Sequence, residues 1–261
     1  MDFPGRGSDS FTATTYGASF ADVYDDWYPA DATTGDVVAR VTELAGAGAR
    51  VLELGVGTGR LALALAGAGH RVVGVDSSRE MLERLRAKLA DDAGVAPLVE
   101  IVEADLADRS AWPDGPFDVV LGAFNFICNL SDAADQRLLF RSAARALRPG
   151  GWFLVEAFLP APVDERTHDL TIRELTAERV VLIATESDPS NGVVTGQHIE
   201  LVDGKPVRLR PWRIRATGPD ELDRWATEAG LRLEDRDADW SGTPFSAEGA
   251  GQVSRYRRPE P

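Results

Sequence analysis

Between residues 36 and 158, short runs of apolar, largely β-branched residues alternate with stretches whose apolar residues recur at helical spacing. Val37, Val38, Val41 and Leu44 form one such stripe within residues 36–46. Residues 50–54 are the first short run, followed by the glycine cluster Gly55-Val56-Gly57-Thr58-Gly59 and a helical stretch. Residues 71–75 are the second and end at Asp76. Ser77 and Glu80 have the spacing of a capping box, with Ser77 as the cap of a helix carrying Met81, Leu82, Leu85 and Leu89. Further strands are expected over 98–102, 117–121 and 152–158, the last after a helix over 133–147 and a Pro149-Gly150-Gly151 stop. Continuous apolar strands alternating with helices predict a parallel sheet covered on both faces. Such sheets bind ligands outside the carboxyl ends of their strands. The candidate site therefore combines Gly55 to Gly59, Asp76, Asp105 and the segment after Leu121.

The rhythm changes between residues 167 and 216, where extended segments are joined by turns at Asp188-Pro-Ser-Asn-Gly192 and Asp203-Gly204. Three or four antiparallel strands are expected there. The apolar phase is odd through Val207 and Leu209 and even from Trp212, a slip that a bulge or an edge strand at Pro211 would allow. Arg208, Arg210, Arg213 and Arg215 read either as a solvated strand face or as an anion pocket. Residues 218–229 predict a helix with Pro219 in its first turn, and two strands follow within 231–240 and 252–257.

The formal net charge is −14, an adverse field for nucleic acid or an anionic membrane surface, and neither partner is expected. The single cysteine, Cys128, permits no intramolecular disulfide and no cysteine-based metal cluster, and reads as a small buried residue. No metal site is expected. Residues 1–10 lack the apolar core of a secretory signal and read as a mobile tail; no apolar run has the roughly 20 residues that span a bilayer, so a cytoplasmic location is expected.

A strand, a glycine loop and a helix cradle a polar ligand. A dinucleotide clamp needs G-x-G-x-x-G, and Gly55-x-Gly57-x-Gly59-Arg60 departs from it. Residues 51–59 (VLELGVGTG) resemble the first motif of class I S-adenosylmethionine-dependent methyltransferases. Gly74-Val75-Asp76 is similar to that family's ribose-binding acid, Glu103-Ala-Asp-Leu106 to its adenine-edge segment, and residues 147–151 to the turn before its fifth strand. Phe20 to Tyr28 resembles the leading helix of its small-molecule members, including the aminosugar N-methyltransferases.

The resemblance implies an α/β fold: a doubly wound, Rossmann-like seven-stranded sheet with its last strand antiparallel and an antiparallel β insert after the fifth strand. Residues 1–34 would be a tail and helix closing over the site, 35–160 the cofactor-binding core, 161–217 the insert (acceptor lid or dimer contact), and 218–261 the last helix and two strands. It implies S-adenosylmethionine held by Tyr24, Tyr28, Glu53, Gly55, Gly57, Gly59, Asp76, Ser77, Met81, Asp105, Leu106 and Phe124. Candidates for a catalytic role are Tyr28 as an oriented hydrogen-bond partner, and His168 and Glu156 as bases. His70 falls on the opposite edge, and His198 reads as a solvated residue of a hairpin. Asn129 stands where that group carries a histidine, and an amide cannot serve as a base. The expected activity is methyl transfer to N or O of a small molecule, in natural-product or antibiotic biosynthesis, with a homodimer left open. Two other readings stay open: a cofactor-binding protein without transfer, and an NAD-dependent dehydrogenase.

Overall fold

The computed structural model describes residues 11–159 and 165–261; residues 1–10, read above as a tail, and the boundary expected at 160/161 lie outside the described residues. In chain order the elements begin with helices α1 (Thr15–Phe20), α2 (Tyr24–Trp27) and α3 (Ala32–Ala45). Strands and helices then alternate: β1 (Arg50–Leu54), α4 (Arg60–Gly67), β2 (Arg71–Asp76), α5 (Arg79–Ala90), β3 (Val99–Glu103), β4 (Phe117–Gly122), α6 (Ala133–Ala146) and β5 (Leu147–Phe158). Four strands follow, β6 (Thr167–Leu175), β7 (Arg179–Asp188), β8 (Val193–Val202) and β9 (Arg208–Arg215), then α7 (Pro219–Glu228), β10 (Arg232–Asp237) and β11 (Gly251–Arg257).

The main sheet has the order β10-β11-β5-β4-β1-β2-β3, with β11 antiparallel to both neighbours. Strand order reverses between β1 and β4, the switch point where a crevice opens at the carboxyl ends. One face is covered by α6 and α7 through Leu139, Phe140, Leu222 and Trp225. The other is covered by α3, α4 and α5 through Val37, Val41, Leu61, Leu65, Leu82 and Leu85. Cys128 is fully buried, and burial pushes its thiol up to about 11. Among the described residues no helix is long and apolar enough to cross a membrane.

Several boundaries move for identifiable reasons. The third strand starts at Val99 because Leu98 is taken by a 3₁₀ turn over Ala96–Leu98. The fifth starts at Leu147 and runs through Pro149-Gly150-Gly151, which was expected to stop the chain. Gly150, at φ 73°, lets the strand keep its edge bonds to Arg258. The cap of α5 is Ser78, one residue after the expected Ser77. Asp76 Oδ1 accepts the Ser78 N–H at 2.8 Å and delays the helix, and Ser77 Oγ donates to the Ala13 carbonyl instead.

The insert is a four-stranded sheet, β6-β7-β8-β9. No bulge marks Pro211: the β8–β9 register is unbroken from Val193↔Arg215 to Glu200↔Arg208, and β9 is simply an edge strand. The phase slip arises because Arg210 takes an inward position and Leu209 an outward one. Arg210 is 1% exposed and bridges Asp22, Glu200 and the Ser19 carbonyl. Arg213 and Arg215 lie on the other parity, Arg215 bound to Gln136, Thr217 and Glu221, so the arginines form neither one solvated face nor one pocket. His198 is buried, not solvated; it accepts the Trp212 indole N–H at 3.0 Å, and burial holds its imidazole down to about 4.

Candidate active site

A cleft opens at the carboxyl ends of β1, β2 and β4, the edge at which open α/β sheets bind their ligands. Its floor is the loop from Gly55 to Gly59. Gly57, at φ 55°, donates its N–H to Asp76 Oδ2 at 2.9 Å, and a Cβ there would meet nothing nearer than the Gly55 carbonyl oxygen at 4.0 Å. Gly55, at φ 70°, meets the Phe126 ring so closely that a Cβ would sit 2.1 Å from it. Gly59 does not line the cleft; it precedes α4 and packs on Leu85.

Two carboxylates face this floor. Asp76 accepts the N–H groups of Gly57 and Ser78 and keeps lone pairs for further donors. Burial pushes its carboxyl up, and the backbone donors oppose that shift. Glu53 is 5% exposed, and its Oε2 has no hydrogen-bond partner among the described residues. Burial first, and the negative charge of Asp76 second, push Glu53 up to about 8, with Arg60 opposing. Buried polar atoms are seldom left unpaired, so this oxygen points to a donor supplied by a ligand. Asp105, Leu106, Ser77 and Met81 line the same cleft.

The far wall is built on unusual backbone. Phe124 and Asn125 are consecutive left-handed residues at φ 50° and 58°. Asn tolerates that region, whereas a bulky Phe is held there against steric cost. The restraint is Glu156, whose Oε2 accepts the Phe124 N–H at 2.6 Å and the Trp240 indole N–H at 2.7 Å. The Arg60 guanidinium lies 3.3 Å above the centre of the Phe124 ring. Glu156 itself does not line the cleft.

α1 and α2 form the roof and bring Tyr16, Gly17 and Tyr24 into the cleft. The Tyr28 ring packs against Tyr24, tilted by 46° with centres 5.1 Å apart, beneath Arg173 of the insert, and does not line the cleft. His168 stands on β6, exposed beside Glu186 and away from the cleft. Asp25 fastens the roof, accepting from Thr58 Oγ1 at 2.6 Å and Lys88 Nζ at 2.9 Å, and Arg210 fastens its other side through Ser19 and Asp22. Burial pushes Tyr24 up to about 12 and Tyr16 well above its ordinary value, so both phenols keep their protons.

Sequence reasoning missed Tyr16 and Gly17. A Cβ at Gly17 would lie 2.2 Å from Ser78 Cβ, so the backbone of the roof packs directly on the Ser78 side chain at the start of α5. Gly17→Ala must lift α1, an overpacking cost of about 1–3 kcal/mol borne by the closed roof. The expected result is about a tenfold weaker cofactor affinity by calorimetry, with a thermal midpoint close to wild type. An unchanged affinity would show that the roof takes no part in binding.

A second cleft adjoins the first and shares Tyr16, Asp105, Asn129 and Leu130 with it, while β9 contributes Trp212 and Arg213. The insert thus borders the site.

A family model described as a methyltransferase domain matches residues 51–151. The cypemycin N-terminal methyltransferase of a Streptomyces species is 33% identical over 204 residues, 77% of this chain and 79% of that protein. The CcbJ methyltransferase structure from Streptomyces caelestis superposes with a TM-score of 0.86 at 37% identity, covering 95% of this chain and 100% of that one. The S-adenosylmethionine-bound structure of CalS10, an amino pentose methyltransferase from Micromonospora echinaspora, shares the fold with a TM-score of 0.67 at 20% identity, covering 97% of this chain and 100% of that one.

Proposed function

The chain belongs to the S-adenosylmethionine-dependent methyltransferases, and from that premise we propose that it methylates a nitrogen of a small molecule in specialised metabolism. The observation that carries the reading is the convergence of unpaired Glu53, the Gly55–Gly57 floor, Asp76 and Asp105 in one cleft. Asp76 would accept the ribose hydroxyls, Asp105 would meet the adenine amine, and Met81, Leu106 and Phe124 would wall the base and sulfur. Glu53 would accept the ammonium group of the methionine end. Bound S-adenosylmethionine supplies a sulfonium-activated methyl, so the protein's work is to orient the acceptor for in-line attack and to keep water out.

Tyr16 and Tyr24, which hold their protons, would act as hydrogen-bond partners that orient the acceptor and not as bases. A neutral amine needs no base, which favours nitrogen over a hydroxyl. The second cleft, bordered by Trp212 and Arg213, gives the acceptor room, with the insert as its lid. The names of the cypemycin and amino pentose enzymes point to amines of peptide or sugar type.

The test is calorimetric titration with S-adenosylmethionine, S-adenosylhomocysteine and NAD, followed by a methyl-transfer screen over amine acceptors. Micromolar binding of both sulfur ligands and turnover on an amine are expected. Binding without turnover on amines, when hydroxyl acceptors do react, would overturn the nitrogen assignment. Binding without turnover on any acceptor would leave a cofactor-binding protein.

A further inference from the structure

Gly196 of the insert is not required by its own backbone. It sits inside β8, where a glycine weakens a strand, and its φ lies outside the left-handed region. Its place is set by Trp212, its partner across the β8–β9 ladder. A Cβ at Gly196 would lie 2.1 Å from Cε2 and Cζ2 of the indole, so the ring rests directly on the β8 backbone. Two positions further along the same face of β8, His198 Nδ1 accepts the indole N–H at 3.0 Å. An indole N–H can only donate, so Nδ1 carries the lone pair and the imidazole is neutral, with its hydrogen on Nε2. His198 is itself held by ring contacts with Phe20 at 5.2 Å and Trp27 at 5.4 Å, both of the roof. The indole is therefore fixed from below by a missing Cβ and at its edge by a buried acceptor. It has little freedom left to lose when a ligand binds.

This half-buried ring stands at the second cleft, which shares Tyr16, Asp105, Asn129 and Leu130 with the first. We propose that Trp212 is the wall that selects the methyl acceptor, and that His198 is the positioning residue that fixes the orientation of its ring. The inference rests on the methyl-transfer reading above and deepens it. The four shared residues form the doorway between the clefts. An acceptor whose amine passes that doorway toward the methyl group keeps the rest of its body beside Trp212. The indole offers that body a flat apolar surface of fixed tilt, and attracts a cationic group laid over it. The class it fits is an amine carried on a ring or a short chain with an apolar face, large enough to reach from one cleft into the other. An amine the size of methylamine enters the first cleft without touching Trp212 and gains nothing from it.

The test separates the two readings. Steady-state methyl transfer is followed on glucosamine, prolinamide and trialanine with S-adenosylmethionine saturating, and S-adenosylhomocysteine affinity is measured in parallel by calorimetry. Trp212→Ala, Gly196→Ala and His198→Leu should each raise KM for the reacting amine about tenfold or more, the scale of one aromatic contact, with kcat within about threefold. S-adenosylhomocysteine affinity and circular dichroism should stay those of the wild type. His198→Asn, whose amide oxygen can take the indole N–H, should keep KM within about threefold of wild type. In a Trp212→Phe background, which has no N–H to hold, His198→Leu should add nothing further, whereas a merely structural histidine costs the same in both backgrounds. Turnover with KM unchanged in Trp212→Ala and Trp212→Phe, or additive effects in the double variant, overturns the inference and leaves methyl transfer standing. No turnover on any of the three amines, with the cofactor bound, counts against the amine reading itself and takes this inference with it.

Discussion

Asp76→Ala is expected to weaken binding of S-adenosylmethionine and S-adenosylhomocysteine by about two to three orders of magnitude, with the fold intact. A hydrogen bond to a charged acceptor is worth about 1.5–3 kcal/mol, and a carboxylate facing a ribose diol makes two of them. The same side chain holds Gly57 and Ser78 by their N–H groups, so its removal also loosens the loop that approaches the ligand. Stability should respond far less. Burial pushes the Asp76 carboxyl above its ordinary value, which means that the ionised group is a burden on the folded state near neutral pH. Deleting it removes that burden along with two backbone bonds, and the thermal midpoint should move by only a few degrees. Asp76→Asn keeps one acceptor and should lose about tenfold. Unchanged calorimetric affinity in Asp76→Ala would remove the ribose role altogether.

The parallel core was legible because its strands are continuous apolar runs, and their ends place Gly55, Asp76 and Asp105 on one edge by topology alone. Ten of the residues expected at the site do line the cleft: Tyr24, Glu53, Gly55, Gly57, Asp76, Ser77, Met81, Asp105, Leu106 and Phe124. What stayed hidden depends on contacts far apart in sequence. Glu156 stands where a base could stand, yet its carboxylate is engaged by Trp240, 84 positions away, and by the strained backbone of Phe124. Tyr16 and Gly17 reach the cleft because the chain breaks after Phe20 into two short helices, and nothing in their spacing announces that break. Arg210 reads as a surface residue of an alternating strand until Asp22 and Glu200 close over it. The place of Trp212 was visible only once the register set it across from Gly196, since a one-residue shift sends a side chain to the other face.

Glu53 should make cofactor binding depend steeply on pH. Its Oε2 is buried without a partner, and its carboxyl is pushed up to about 8, first by burial and then by Asp76. Below pH 8 the free protein holds this group neutral. Accepting an ammonium group favours the ionised form, so binding there must release a proton, and affinity should rise about tenfold per pH unit as pH approaches 8. The ligand's own α-amino group loses its charge near pH 7.7–8.0, roughly, which sets the opposing limb. The two fractions together give a bell centred near pH 8, with affinity about 20-fold higher there than at pH 6. Unfolding carries the opposite sign. A carboxyl raised in the folded state binds its proton more tightly there than in the unfolded chain, so its contribution is full below the unfolded value of about 4.5 and is lost as pH rises through about 8. The thermal midpoint of the ligand-free protein should therefore fall over that window on account of Glu53, while saturating cofactor offsets the fall. Glu53→Gln should flatten the acid limb of the affinity profile, abolish proton release measured in buffers of different ionisation enthalpy, and remove this part of the slope in thermal midpoint. A Gln variant that keeps the wild-type acid limb would assign the titration to another group and leave Glu53 as a structural residue of β1.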